Sequence, residues 1–182
     1  MTVVERTKVI PDGAYAIDPL HSSASFAVRH AAATFRGGFK RIDGSLEASD
    51  GQVKLTGSAK VESIDVEDEN LRPHLLSPEF FDVERTPEVK FSSTSLEADG
   101  EDLVIRGELE IAGTRRKVEA GGHVTEPVTG PDGAAKLGLE LRAAIDRTDY
   151  GLDWNMELPD GGTILGDEVE LVVNLELGEE AA

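Results

Sequence analysis

Residues 53–62 read Val53-Lys54-Leu55-Thr56-Gly57-Ser58-Ala59-Lys60-Val61-Glu62. Apolar or absent side chains alternate with polar ones. Successive residues of an extended strand point to opposite faces, so one row meets an apolar interior and the other meets water. The same period recurs at Leu103, Ile105, Gly107, Leu109 and Ile111, and again at Val169, Leu171, Val173, Leu175 and Leu177. A sheet with one wet face must pack its dry face on something, and an antiparallel sheet can do so by curling into a closed barrel. Gly57, Ala59, Gly107 and Ala143 omit side chains from the inward rows and predict a barrel with space inside.

Working outward, Asp50-Gly51 is a hairpin signal joining a strand at 42–48 to the one that starts at Val53. Further strands are predicted at 15–18, 22–30, 89–96, 103–111, 116–125, 136–146 and 168–177, with turns at Asp99-Gly100 and Pro131-Asp132-Gly133. Gly37-Gly38 predicts a bend or bulge before Phe39. The rhythm breaks at 67–83, where Leu71, Leu75, Leu76, Phe80 and Phe81 have a spacing nearer to helix. Ser77-Pro78-Glu79 has the order of an N-cap followed by proline, so two short helices are expected there. Such an insert either caps one end of the barrel or packs on its surface.

The 182 residues suit one domain, expected at 14–177 between a flexible start, 1–13, and a short tail, 178–182. There is no cysteine, which removes disulfides, thiolate catalysis and cysteine-held metal. Neither a membrane-length apolar run nor a signal-like stretch between Met1 and Pro11 is present, so a cytoplasmic location is the expectation. The formal net charge of -18 repels nucleic acid and anionic membrane surfaces and keeps an oily-cored protein dispersed.

The segment from Tyr15 to His30 resembles the opening signature of the YceI-like family, with Tyr15, Ile17, Asp18, His21, Ser22, Phe26, Val28 and His30 in place. Matches continue in order through Phe35-Arg36-Gly37-Gly38-Phe39, Ser63-Ile64-Asp65, His74-Leu75 with Ser77 and Phe80-Phe81-Asp82, Phe91-Ser92-Ser93, Arg147 with Tyr150-Gly151, and Gly166-Asp167. Two positions depart from it: Pro73 follows Arg72 where the family often has Asp, and Tyr150 stands where Phe is common. The resemblance implies an all-β fold, a single antiparallel lipocalin-like β-barrel of about eight strands with a short helical insert capping one side. It implies a lumen for a polyisoprenoid, such as an isoprenoid quinone or polyprenyl phosphate, with fatty acids and fatty amides as the alternative.

A lipid site needs an apolar tunnel and a few polar groups at its mouth. The lumen candidates are Phe26, Val28, Gly57, Val61, Phe91, Gly107, Leu109, Leu139 and Leu141, and the cap candidates are Leu71, Leu75, Phe80 and Phe81. For a head group the candidates are His21, His30, Arg72, His74 and Arg147, because imidazole and guanidinium can donate to a carbonyl or pair with a phosphate. The same side chains could instead hold the barrel ends by bonding backbone carbonyls. No tight histidine pair suggests a metal, no Gly-x-Ser-x-Gly elbow suggests a hydrolase, and no cofactor is expected. The reading is non-enzymatic lipid binding, transport or sequestration, with room for a homodimer; a histidine-dependent barrel enzyme using His21, His30 or His74 is the reading from another class.

Overall fold

At Asp50 and Gly51 the φ angles are 52° and 80°, and at Ala112 and Gly113 they are 50° and 80°. Paired positive φ values make tight turns whose twist matches that of the flanking strands. These turns fix the register of β4 (Ile42–Ser49) on β5 (Gln52–Lys60) and of β8 (Asp102–Ile111) on β9 (Thr114–Val124). The computed structural model describes residues 10–180, which form twelve strands and one α-helix. The other strands are β1 (Gly13–Ile17), β2 (Ser23–His30), β3 (Ala33–Phe39), β6 (Ile64–Val66), β7 (Glu88–Asp99), β10 (Val128–Thr129), β11 (Ala135–Asp146) and β12 (Leu165–Glu179). Eight of them, in the spatial order β1, β4, β5, β7, β8, β9, β11 and β12, close an antiparallel barrel.

The closing strand, β12, is shared. One edge pairs with β11 from Glu168 to Gly178. Its other edge carries β2 from Leu165 to Asn174 and then β1 from Leu177 to Glu179. Where the chain breaks between β1 and β2, Ser22 fills the gap: its hydroxyl accepts from the Glu176 amide at 2.9 Å, while the Asp18 amide donates to the Glu176 carbonyl at 2.8 Å. The hydroxyl thus stands in for a missing strand backbone. β2 carries β3, and β3 carries β6, as an extension of the wall.

One end of the barrel is solid. Tyr15, Leu46, Leu103, Leu137 and Leu177 are at most 2% exposed, and the Tyr15 hydroxyl donates to the Pro11 carbonyl at 2.8 Å. The predicted alternation holds along β5, β8 and β12, where Leu55, Ala59, Leu103, Ile105, Leu109, Ile111, Val169, Leu175 and Leu177 are all buried.

Several expectations are corrected. Gly37 and Gly38 do not bend the chain. They lie within β3, because the Phe26 ring covers Gly37 so closely that a Cβ there would sit 2.6 Å from the Phe26 Cζ. The insert holds one α-helix, α1 (Arg72–Leu76), entered through a 3-10 turn at Glu69–Leu71. The second helix is absent among the described residues because the Ser77 hydroxyl donates back to the His74 carbonyl at 2.6 Å and ends α1. The chain then turns, with the Asp82 amide on the Ser77 carbonyl at 2.9 Å. The expected tail contributes Gly178 and Glu179 to β12, and β1 begins at Gly13 within the expected flexible start. Residues 1–9 and 181–182 of those two segments lie outside the described residues.

Candidate ligand-binding cavity

Above the solid end the barrel is hollow, with a cavity of 330 Å³. Its floor is Ile17, Leu55, Ile105 and Leu175. The wall comes from the inward rows of β2, β3, β5, β7, β8, β9, β11 and β12, and the roof from Leu71, His74, Leu75, Phe80 and Phe81 with Leu152 and Trp154 of the β11–β12 connection. All six phenylalanines of the chain and its single tryptophan line this space. Phe26 contacts Phe35 and Phe39 with ring centres 6.2 and 6.0 Å apart, and Phe39 meets Phe81 edge-on at 5.7 Å. Such tilted and edge-on pairs are favoured by the ring quadrupoles.

Of the lumen candidates, Phe26, Val28, Gly57, Phe91, Leu109 and Leu141 line the cavity, while Val61, Gly107 and Leu139 do not. Val61 leaves the wall because β5 ends at Lys60 and the chain enters a 3-10 turn, with the Val61 amide donating to the Pro87 carbonyl at 2.9 Å. Leu139 belongs to the solid core, 2% exposed. At Gly107 the room left by the missing side chain is taken by the Phe91 ring. A Cβ there would lie 2.8 Å from Phe91 Cζ and 2.4 Å from the Ser92 carbonyl oxygen. Gly57 is different, since a Cβ there would meet nothing nearer than the Asp43 carbonyl oxygen at 3.7 Å.

The cap candidates Leu71, Leu75, Phe80 and Phe81 all face the cavity. His30 reaches it from the end of β2, and His74 from α1. The His74 ring stands edge-on to Phe80 at 4.9 Å and to Trp154 at 4.8 Å, and its Nε2 is 2.6 Å from Glu79 Oε2. Trp154 thus joins the α1 segment to the β11–β12 connection through one aromatic cluster.

Arg147 is 4% exposed and lines the cavity. Its Nε donates to the Gly166 carbonyl at 2.8 Å, and its Nη1 donates to the Trp154 carbonyl at 2.9 Å and to the Leu152 carbonyl. Three carbonyls from two segments are therefore held by one guanidinium. Its Nη2 is buried without a hydrogen-bond partner, 3.6 Å from Asp167 Oδ1. The Tyr150 hydroxyl beside this turn is also buried and unpartnered, and burial raises its pKa, with the charge of Asp149 adding to the rise.

Two head-group candidates lie elsewhere. Arg72 is on the outer surface, donating to the Glu62 carbonyl. His21 sits between β1 and β2 with its Nδ1 2.8 Å from Asp18 Oδ2. That bond raises the His21 pKa and lowers the Asp18 pKa, helped at Asp18 by the Leu20 amide. Asp18, His21 and Glu176 are the one group of three candidate metal ligands close together among the described residues. His21 and Asp18 are engaged with each other, and Glu176 faces Lys136 at 3.8 Å.

Phe35, Phe39, Leu152 and Trp154 also line the cavity, beyond the residues expected there. Phe35, Gly37 and Phe39 share one row of β3, a period-2 signal obscured by the glycine pair. Leu152 and Trp154 lie in an irregular connection whose sequence carries no period.

The YceI-like domain matches residues 15–177. A UPF0312 protein of Enterobacter sp. strain 638 is 28% identical over 163 residues, covering 86% of this chain and 80% of its own. A UPF0312 protein of Staphylococcus aureus strain N315 is 28% identical over 170 residues, covering 89% and 95%. Among solved structures, BcnA of Burkholderia cenocepacia superposes with a TM-score of 0.74 at 18% identity, over 88% of this chain and 98% of that one. A polyisoprenoid binding domain from Saccharophagus degradans superposes with a TM-score of 0.71 at 12% identity, over 93% and 100%. At these identities the two structures share the fold with this chain.

Proposed function

We propose that this chain, which belongs to the YceI-like family, binds a long apolar lipid of polyisoprenoid type inside its barrel. The chain of the lipid lies among the phenylalanines, and its polar end lies near His30, His74 and Arg147. One observation carries the reading: a protein with six phenylalanines and one tryptophan lines a single cavity with all seven. Each five-carbon unit transferred from water contributes about 3–4 kcal/mol gross. Association costs about 4–15 kcal/mol, so a few units suffice for stable binding and no reaction is needed.

The buried Nη2 of Arg147 supports a second reading, in which the cavity takes a fatty acid or fatty amide with its carboxylate or carbonyl at that nitrogen. An acceptor there would give a hydrogen bond to a donor whose ion-pair partner, Asp167 Oδ1, stands 3.6 Å away, beyond hydrogen-bond distance.

Mass spectrometry of organic extracts of the purified protein tests both. A prenyl-chain lipid present at close to one equivalent is the expected result, and a fatty acid or amide would select the second reading. Extracts free of lipid, together with no uptake of added prenols or fatty acids, would overturn both.

A further inference from the structure

The wall of the barrel parts between β9 and β11. These strands are joined by four residue pairs, from Leu139 opposite Val124 to Arg142 opposite Gly121. β11 then continues to Asp146, and β9 starts as early as Thr114, yet the two stretches do not pair with each other. Continuing the register would set Ala120 opposite Ala143 and Val118 opposite Ile145. All four of those residues line the cavity. At the rim the gap is filled, because Val118 and Ile145 pack against the buried cluster that Tyr150 and Leu152 form with Leu109 and Ile111. What remains lies between the last strand pair and this plug, flanked by two alanines, the smallest side chains a wall can have short of glycine.

We propose that this gap is a lateral slot through which the hydrocarbon tail of a bound lipid leaves the barrel. The inference rests on the lipid reading above and adds what that reading leaves open, namely which chain lengths are accepted. A 330 Å³ cavity is at the small end of the range of about 300–1,000 Å³ for ligand pockets, so a long polyisoprenoid has more chain than the cavity holds. The mouth is roofed by Phe80, Phe81 and Trp154, and the floor is closed by the solid core. A chain that enters tail-first at the mouth therefore meets its opening in the side wall, at Ala120 and Ala143. With such a slot, chain length ceases to be limited by the cavity, and the protein selects for at least a few prenyl units without an upper bound.

The experiment uses two prenols, farnesol with fifteen carbons and solanesol with forty-five, and two variants. Ala143→Phe blocks the slot. It is expected to weaken solanesol at least tenfold more than it weakens farnesol, which also loses some room to the new ring. Equal weakening of both prenols would make Ala143 ordinary lining, and no weakening of either would leave the slot unused; each result overturns the proposal. Ala144 alternates outward from Ala143, is exposed and does not line the cavity. The chain has no cysteine, so Ala144→Cys creates a single thiol at the outer rim of the slot. Maleimide labelling of this variant is expected to slow at least fivefold with solanesol bound and to be unchanged with farnesol. Equal labelling under the two lipids overturns the proposal, even if Ala143→Phe fails to fold. If the unmodified protein binds neither prenol, the lipid reading itself fails, and the slot falls with it.

Discussion

Two glycines of one barrel give opposite answers to an added side chain. Gly57 and Gly107 both stand in inward rows, but only Gly57 has open space where a side chain would go. Gly57→Leu is expected to fold, with stability unchanged or raised by about 0.5–1 kcal/mol as the unfolded backbone loses freedom. Its bulk would occupy the cavity, so lipid uptake should fall in a titration while the melting curve is retained. Gly107→Ala, although smaller, forces Phe91 and the Ser92 carbonyl aside and is expected to cost about 1–3 kcal/mol in denaturant unfolding. Were Gly107→Ala as stable as the parent, the Phe91 ring would have to move freely and the packing described above would be wrong. Alternation in the sequence could place both glycines on the inner face. It could not say which one a neighbouring ring had already filled, because that depends on the rotamer of Phe91 across the β7–β8 pairing.

Among the elements, the regular strands were legible and the irregular segments less so. β5, β8 and β12 have one face in water, so their period-2 pattern is written into the residues themselves. The roof has no such period. Its aromatic residues converge only because α1, the turns after Ser77 and the β11–β12 connection meet over the mouth. Phe80 sits at that meeting, and Phe80→Ala is expected to speed lipid release measured by stopped-flow exchange. The loss of its ring should cost about 3 kcal/mol or less, since the site is only half-buried. Unchanged release with a large loss of stability would make the roof a packing element and not a gate. At the opposite end, the link between β1 and β2 is held by Asp18 and His21. The His21 pKa is raised above 6.5, so its share of stability is present below pH 6.5 and lost as pH climbs through the raised value. The Asp18 pKa is lowered below 3.8, so its share is present above pH 3.8 and lost as pH falls through the lowered value. Melting temperatures of the parent and His21→Ala should therefore differ most between about pH 4 and pH 6.5 and converge on either side. A difference that grew toward pH 8 would contradict the pairing.

For the molecule as a whole, an occupied cavity is a source of stability by mass action. A ligand at one hundred times its dissociation constant adds about 2.7 kcal/mol. A domain of this size gains about 2–4 °C per kcal/mol, so stripping the lipid with organic solvent or detergent exchange should lower the melting temperature by about 5–10 °C. Re-addition should restore it, and a melting temperature indifferent to both steps would argue that the cavity is empty in solution. The sharing of β12 between β11 and the β1–β2 pair has a further consequence, which concerns time. Tyr15 lies opposite Glu179, so the ring is completed by joining the first strand made to the last. Closing a loop of about 160 residues costs roughly 4–5 kcal/mol of chain entropy. It is a contact of the longest range, the kind that slows folding. On the ribosome, every strand up to β11 can emerge before the wall has a place to close. The apolar rows of the nascent sheet stay open to the cell until synthesis of β12 ends, and the container comes into being with its last strand.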